Sequence, residues 1–244
     1  MQDLPLMYTD FARYWHLISA PDEYIEEAQL YLQLFTESGS QPRTMLELGS
    51  GGGNNAFHLK KYFEMTLVDL SPEMVAMSRK INPDLEHLLG DMRSVRVGRQ
   101  FDAVFVHDAI MYMTTEHDLR LAMETAAAHC KPGGAALFAP DEVKETFDPF
   151  TDCGGRDGED GEGIRYMEWG YDPDPDDTSY VMDYAYMRRD KAGQVSVTHD
   201  RHIIGLFPRQ TWLDLLARSG FAVRVVGDQF GRDLFLCRRL PDGD

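Results

Sequence analysis

The chain has 244 residues, 43% of them apolar, enough to bury the core of one domain, with or without a sizeable insertion. Forty-one Asp and Glu against 24 Lys and Arg leave a formal charge of -17, a field that repels phosphate backbones and anionic lipid surfaces, so neither nucleic acid nor a membrane is an expected partner. Cys130, Cys153 and Cys237 are far apart and form no C-x-x-C, which argues against a disulfide framework or a zinc ribbon and suits a reducing cytoplasm.

The N-terminal "MQDLPLMYTD" has no basic lead and no long apolar stretch, and no run approaches the ~18 apolar residues of a membrane span. A cytoplasmic location is therefore expected. Residues 21 to 38 place Tyr24, Ala28, Tyr31, Leu32 and Phe35 at three- and four-residue spacings before Gly39, the pattern of an amphipathic helix with a glycine stop. Short apolar runs then alternate with helical patterns: "TMLEL", a helix from about Asn54, "MTLVDL", a helix from about Pro72, "LEHLL", "FDAVFVH", a helix over about Glu116 to Cys130, and "GAALFAP". Such alternation predicts right-handed crossovers and an α/β fold with a doubly wound, mostly parallel sheet.

The alternation stops between about Asp141 and Phe207. Residues 148 to 177 carry eleven acids against two arginines and read as a loop-rich insertion; "YVMDYAYMRRDKAGQVSVTHDRHIIGLF" reads as two strands joined near Lys191 to Gly193. With a loop over residues 190 to 194, Asp183 faces Arg201 across the pair. Pro208 then opens a helix bearing Trp212, Leu215 and Leu216, Gly220 closes it, and "FAVRVV" and "DLFLCRRL" supply two last strands. The expected division is a helical lid over residues 1–41, a cofactor-binding core over 42–140, an antiparallel substrate cap over 141–207, and a closing helix and strands over 208–244.

The chemistry concentrates in "TMLELGSGGGNNAFHLKKYFEMTLVDLSPEM". Gly49, Gly51, Gly52 and Gly53 follow a strand and precede a helix, the context in which a glycine loop lets backbone approach a ligand. Asp69 lies twenty residues after the first glycine, at the end of the second strand, where a carboxylate can accept both hydroxyls of a ribose. Dinucleotide binding prefers a glycine where this chain has Asn54, and a pyrophosphate would be opposed by Glu47. A negative charge there suits a cation such as an amino-acid ammonium instead, which favours S-adenosylmethionine.

Taken in order, "LELGSGGG", "LVDLSPEMV", "LLGDMRSV", "FDAVFVHDAIMYM" and "CKPGG" resemble the successive motifs of the class I S-adenosylmethionine-dependent methyltransferases of small-molecule type, over roughly residues 42 to 140. The resemblance implies a Rossmann-like seven-stranded sheet with an antiparallel last strand. It also implies roles: Glu47, Gly49, Ser50 and Gly51 on the methionine and ribose part; Asp69 on the ribose hydroxyls; Leu70 and Met74 near adenine; Gly90, Asp91 and Met92 around the adenine amino group; His107 at the donor sulfur, with Tyr112 beyond it. Tyr14 belongs to a lead-in, with Tyr8 and Trp15, similar to the lid that closes over the donor.

Methyl transfer from a sulfonium requires alignment, exclusion of water and, for an amine, an outlet for a proton. His107, Tyr14 and His202 are the catalytic candidates, with Asp108, His199 and Arg201 as further polar groups. In "HDRH", strand alternation sets His199 and Arg201 on one face and Asp200 and His202 on the other, which argues against a metal site. The expected activity is methyl transfer to nitrogen or oxygen of a small organic acceptor, and a homodimer is compatible with it. A nicotinamide-dependent oxidoreductase is opposed by Glu47, by Asn54 and by the lack of a Tyr-x-x-x-Lys pair; a non-catalytic nucleoside-binding module is the other alternative. In plan, a class I core with an antiparallel insertion resembles amino-sugar and glycine-type N-methyltransferases.

Overall fold

The computed structural model describes residues 4–241; residues 1–3 and 242–244, the ends of the expected lid and closing segments, lie outside them. The chain runs through α1 (Trp15–Ile18), α2 (Ile25–Glu37), β1 (Thr44–Leu48), α3 (Asn54–Leu59), β2 (Glu64–Asp69), α4 (Pro72–Ile81), β3 (Glu86–Leu89), β4 (Phe101–Val106), α5 (Glu116–His129) and β5 (Cys130–Phe138). Four further strands follow, β6 (Phe150–Gly154), β7 (Gly163–Tyr171), β8 (Ser179–Arg189) and β9 (Val195–Gly205), and then α6 (Arg209–Arg218), β10 (Phe221–Gly227) and β11 (Asp233–Arg239).

Seven strands form one sheet in the order β10-β11-β5-β4-β1-β2-β3. The pairs from β3 to β5 are parallel, and β11 runs antiparallel between β5 and β10. The central strands are apolar on both faces because helices cover both. Leu46, Val104 and Phe138 face a cluster with α5 and Trp212 of α6, while Met45, Phe105 and Leu137 face Tyr31, Leu34 and Phe35 of α2. Leu34 is buried where the spacing pointed to Leu32, which is only half-buried. Each fully buried Leu, Phe or Met contributes about 1.5 to 3 kcal/mol.

The chain winds outward from β1 in one direction through β2 and β3, and from β4 in the other through β5. The crevice at the carboxyl ends of β1 and β4 is therefore the switch point where open α/β sheets bind ligands.

The second sheet, β6-β7-β8-β9, is antiparallel throughout and forms a cap. Asp183 pairs with Arg201 in the register that the residue 190–194 loop predicts. The acidic stretch over 148–177, however, is not loop-rich: it contributes β6 and all nine residues of β7. Most of its acids sit outside these strands, some on ion pairs, as Asp157 does with Arg165 and Arg189, each at 3.1 Å, while Asp152 and Glu168 lie within β6 and β7. Ile164 meanwhile packs inward against Met7, Phe11, Tyr14 and Tyr186. Charge density hid a strand whose alternate residues are buried.

Candidate active site

A cavity of about 560 Å³ opens at the switch point and runs between the core, the N-terminal segment and the cap. That size suits a cofactor and a small substrate. Its floor is the loop between β1 and α3. Gly49 and Ser50 donate their N–H groups to the Val68 carbonyl, which ties the loop to β2. Asp69 completes the tie: one carboxylate oxygen accepts the Gly51 N–H at 2.7 Å and the other the Ser71 N–H at 2.8 Å.

Two glycines show why the cluster is needed. Gly51 has φ +51° and only Met74 within 4 Å of where a Cβ would stand, so it presents bare backbone to the cavity. A Cβ on Gly52 would collide with the Trp15 indole, so Gly52 is the seat of the N-terminal segment.

Glu47, on β1, is 2% exposed, lines the cavity and leaves Oε2 without a partner. Burial, then the neighbouring Asp69 and Glu27 carboxylates, push its carboxyl up to about 8, partly opposed by His107. Asp69 is also raised by burial, against the backbone N–H groups that stabilise its charge. Asp91 lines the same end but is held by Arg93, at 2.6 Å between Oδ2 and Nη2.

His107 lies between two acids, with Nε2 2.9 Å from Asp108 Oδ1 and 3.4 Å from Glu27 Oε1. Burial disfavours its charged form, but Asp108 and Glu27 outweigh burial and raise the imidazole well above its ordinary range. Behind it, Arg232 pairs with Glu27 at 3.2 Å, with Asp228 at 2.7 Å and with Asp141 at 3.4 Å. The two carboxylates favour the form of the ring that holds a proton over the form that accepts one.

The opposite wall is built from three elements. Tyr8 and Trp15 come from the N-terminal segment, Tyr112 from a 3-10 turn after β4, and Asp200 and His202 from β9. His202 Nδ1 is 2.8 Å from the Tyr112 hydroxyl, which is 3.0 Å from that of Tyr8. Alternation along β9 sets His199 and Arg201 on the other face, where both bond Asp183. Tyr14 does not line the cavity; it is buried with Met7, Phe11 and Tyr186, and Tyr8, six residues earlier, and Trp15, the next residue, line it instead. Met74 is likewise core, packed with Ala12 and Met77 beneath the loop. Gly49, Ser50, Gly51, Leu70, Gly90, Met92, His107 and Tyr112 all line the cavity.

The sequence reading missed Asn54 and Asn55 as wall residues and gave Asp200 no role. Asparagines are poor residues for the first turn of a helix unless their amides bond something. Asn54 donates to the Ser19 carbonyl at 2.9 Å and Asn55 to Glu27 at 3.1 Å, yet both amide oxygens are left without partners. The signal for Asp200 was the alternation that put it beside His202.

The orphaned atoms test which ligand fits. Glu47 Oε2, Asn54 Oδ1 and Asn55 Oδ1 are buried acceptors of residues that line one cavity, beside Trp15 Nε1, Ser50 Oγ and His107 Nε2, which also make no hydrogen bond, so a ligand must bring donors to the first three and acceptors to the others. S-adenosylmethionine carries an ammonium, two ribose hydroxyls and an adenine amino group. It fits a wall of carboxylates and amide oxygens, whereas a pyrophosphate does not.

The methyltransferase domain family matches residues 45–134, from β1 to the start of β5. The chain is a class I S-adenosylmethionine-dependent methyltransferase that transfers a methyl group to nitrogen or oxygen of a small organic acceptor. Among its relatives, the dTDP-3-amino-3,4,6-trideoxy-alpha-D-glucopyranose N,N-dimethyltransferase of Streptomyces venezuelae is 27% identical, over 88% of this chain and 90% of that protein. The dTDP-3-amino-3,6-dideoxy-alpha-D-glucopyranose N,N-dimethyltransferase of Streptomyces fradiae is also 27% identical, over 87% and 84%. The crystal structure of Streptomyces venezuelae DesVI superposes with a TM-score of 0.81 at 26% identity, covering 96% of this chain and 98% of that one. Nothing in these comparisons supports an oxidoreductase. No described helix is long and apolar enough to cross a membrane.

Proposed function

We propose that the chain methylates the amino group of a nucleotide-linked amino sugar, by one and then a second methyl transfer from S-adenosylmethionine. The observation that carries this reading is a single cavity with two different ends: buried acceptors around the glycine loop, and a wall of Tyr8, Tyr112 and His202 to which the N-terminal segment, the turn after β4 and the cap each contribute. The relatives named above act on amino groups of dTDP-linked sugars and align over nearly the whole chain, cap included.

When bound, S-adenosylmethionine supplies a methyl group on a positively charged sulfur, open to in-line attack. In this reading Glu47, with its unpartnered oxygen, receives the ammonium, and Asp69 receives the ribose hydroxyls. Gly49, Ser50 and Gly51 give backbone access, and Asp91 with Met92 borders the adenine. Tyr8 and Trp15 exclude water above the loop. The lid, core, cap and closing segments expected from the sequence belong to this reading as working parts.

A cytoplasmic enzyme and a homodimer complete the proposal. Free cysteines suit a reducing compartment, and the outer face of the cap exposes Met167, Trp169, Met187 and Val197, a surface that a second copy could cover. The test of function is incubation with S-adenosylmethionine and dTDP-3-amino-3,6-dideoxyglucose. Mass spectrometry should show the mass of one and then two added methyl groups on the sugar. An unmodified amino sugar in the presence of a bound donor would remove this acceptor class.

A further inference from the structure

Proton release is the part of amine methylation that the glycine loop does not serve, and the carboxylates around His107 favour its protonated form. The cap holds a second histidine in a different setting. His202 is 4% exposed and lines the cavity; its Nε2 is 3.2 Å from Asp200 Oδ2, and its Nδ1 is 2.8 Å from the Tyr112 hydroxyl. The same Asp200 oxygen accepts the backbone N–H of Leu6 at 2.8 Å. The remaining titratable neighbours are Tyr8, whose ring centroid is 6.2 Å from the imidazole, and Tyr184 of β8, at 4.6 Å.

We propose that Asp200, His202 and Tyr112 form a proton relay that takes the proton from the acceptor amine. The inference rests on the amine-methylation reading above. A carboxylate at Nε2 fixes the hydrogen there, which leaves Nδ1 as a lone pair 2.8 Å from the Tyr112 oxygen; the Tyr112 hydroxyl, which donates to Tyr8 at 3.0 Å, turns its proton to that nitrogen in the relay. The amine lone pair forms the N–C bond as the C–S bond breaks and its electrons return to sulfur. The resulting ammonium gives an N–H proton to the Tyr112 oxygen while the Tyr112 proton passes to Nδ1. His202 becomes an imidazolium beside Asp200 and passes the proton to water when the cavity opens, leaving a neutral secondary amine ready for a second cycle. Burial keeps the Tyr8 and Tyr112 phenols protonated, so they serve as neutral carriers.

Asp200 is positioned partly by the N-terminal segment through Leu6, so the relay is complete only when lid, core and cap are together. That arrangement matches the need to move a proton only after water has been shut out.

The test uses the full-length protein with dTDP-3-amino-3,6-dideoxyglucose. His202→Gln and Tyr112→Phe should each lower kcat by about a hundredfold, leave S-adenosylhomocysteine affinity unchanged, and recover rate as pH rises. His199→Ala, on the opposite face, should keep the wild-type rate. Wild-type turnover and pH profile in both relay variants would overturn the relay while leaving the methylation reading intact. Nitrogen-15 spectra of the histidines provide a readout that needs no acceptor. They should show His202 protonated at Nε2, with a change in Asp200→Asn; a hydrogen on Nδ1 would overturn the relay. Failure of the wild-type protein to methylate the amine sinks the functional reading separately.

Discussion

At the scale of single residues, the two carboxylates of the loop have different tasks and different tests. Asp69 both shapes the loop, through Gly51 and Ser71, and faces the cavity. Asp69→Ala should cost about 1.5 to 3 kcal/mol of donor binding, roughly one to two decades in the dissociation constant by titration calorimetry; an unchanged constant would refute its role. Glu47 predicts a pH dependence. With its carboxyl at about 8 in the free protein, it is mostly protonated below that pH, and an arriving ammonium favours the ionised form. Binding therefore expels a proton. Affinity should rise with pH, by up to about tenfold per unit, and level off above about 8, while Glu47→Gln should abolish the slope. For stability the sign is opposite: the folded state binds the extra proton, so the ligand-free protein loses stability as pH rises from 4.5 toward about 8. Glu47 and Asp69 were legible because strand, glycine loop and spacing locate them. The protonated state of His107 was not, because it depends on Glu27, eighty residues earlier, and on Arg232 behind it.

Among the elements, the core strands and helices were readable from periodicity, since each buries a regular face. Much of the cap was not. Strand β7 alternates more and less buried residues, but its one acid, Glu168, lies on the half-buried face with Ile164 and Tyr166, while Met167 and Trp169 lie on the exposed face, so the apolar pattern is masked. The tyrosines of the lid show the same limit: composition marks a closing segment, but only packing decides that Tyr8 and Trp15 face the cavity and Tyr14 faces Tyr186. The contact between lid and loop gives an element-level prediction. Gly52→Ala would push the Trp15 indole off its seat, a strain of about 1 to 3 kcal/mol, without requiring a left-handed backbone. Donor affinity and indole fluorescence should change while the circular dichroism of the fold stays the same. Unaltered affinity would mean that the lid does not contribute to donor binding.

At the scale of the whole molecule, distant parts of the chain meet around one cavity. Arg232, in the turn between β10 and β11, holds Glu27 of α2 and Asp141 after β5. Arg232→Met leaves these acids without their cation and should lower unfolding free energy by about 3 kcal/mol, measurable by urea denaturation. The same convergence makes a ternary complex possible: donor on the glycine loop, acceptor under the cap, with the reacting atoms between them. The most direct measurement is a crystal structure with S-adenosylhomocysteine and dTDP-3-amino-3,6-dideoxyglucose bound together. The amino nitrogen should lie between the donor sulfur and the Tyr112–His202 pair, with Glu47 and Asp69 on the donor. A sugar amine bound outside this cavity, or turned away from the sulfur, would contradict the account.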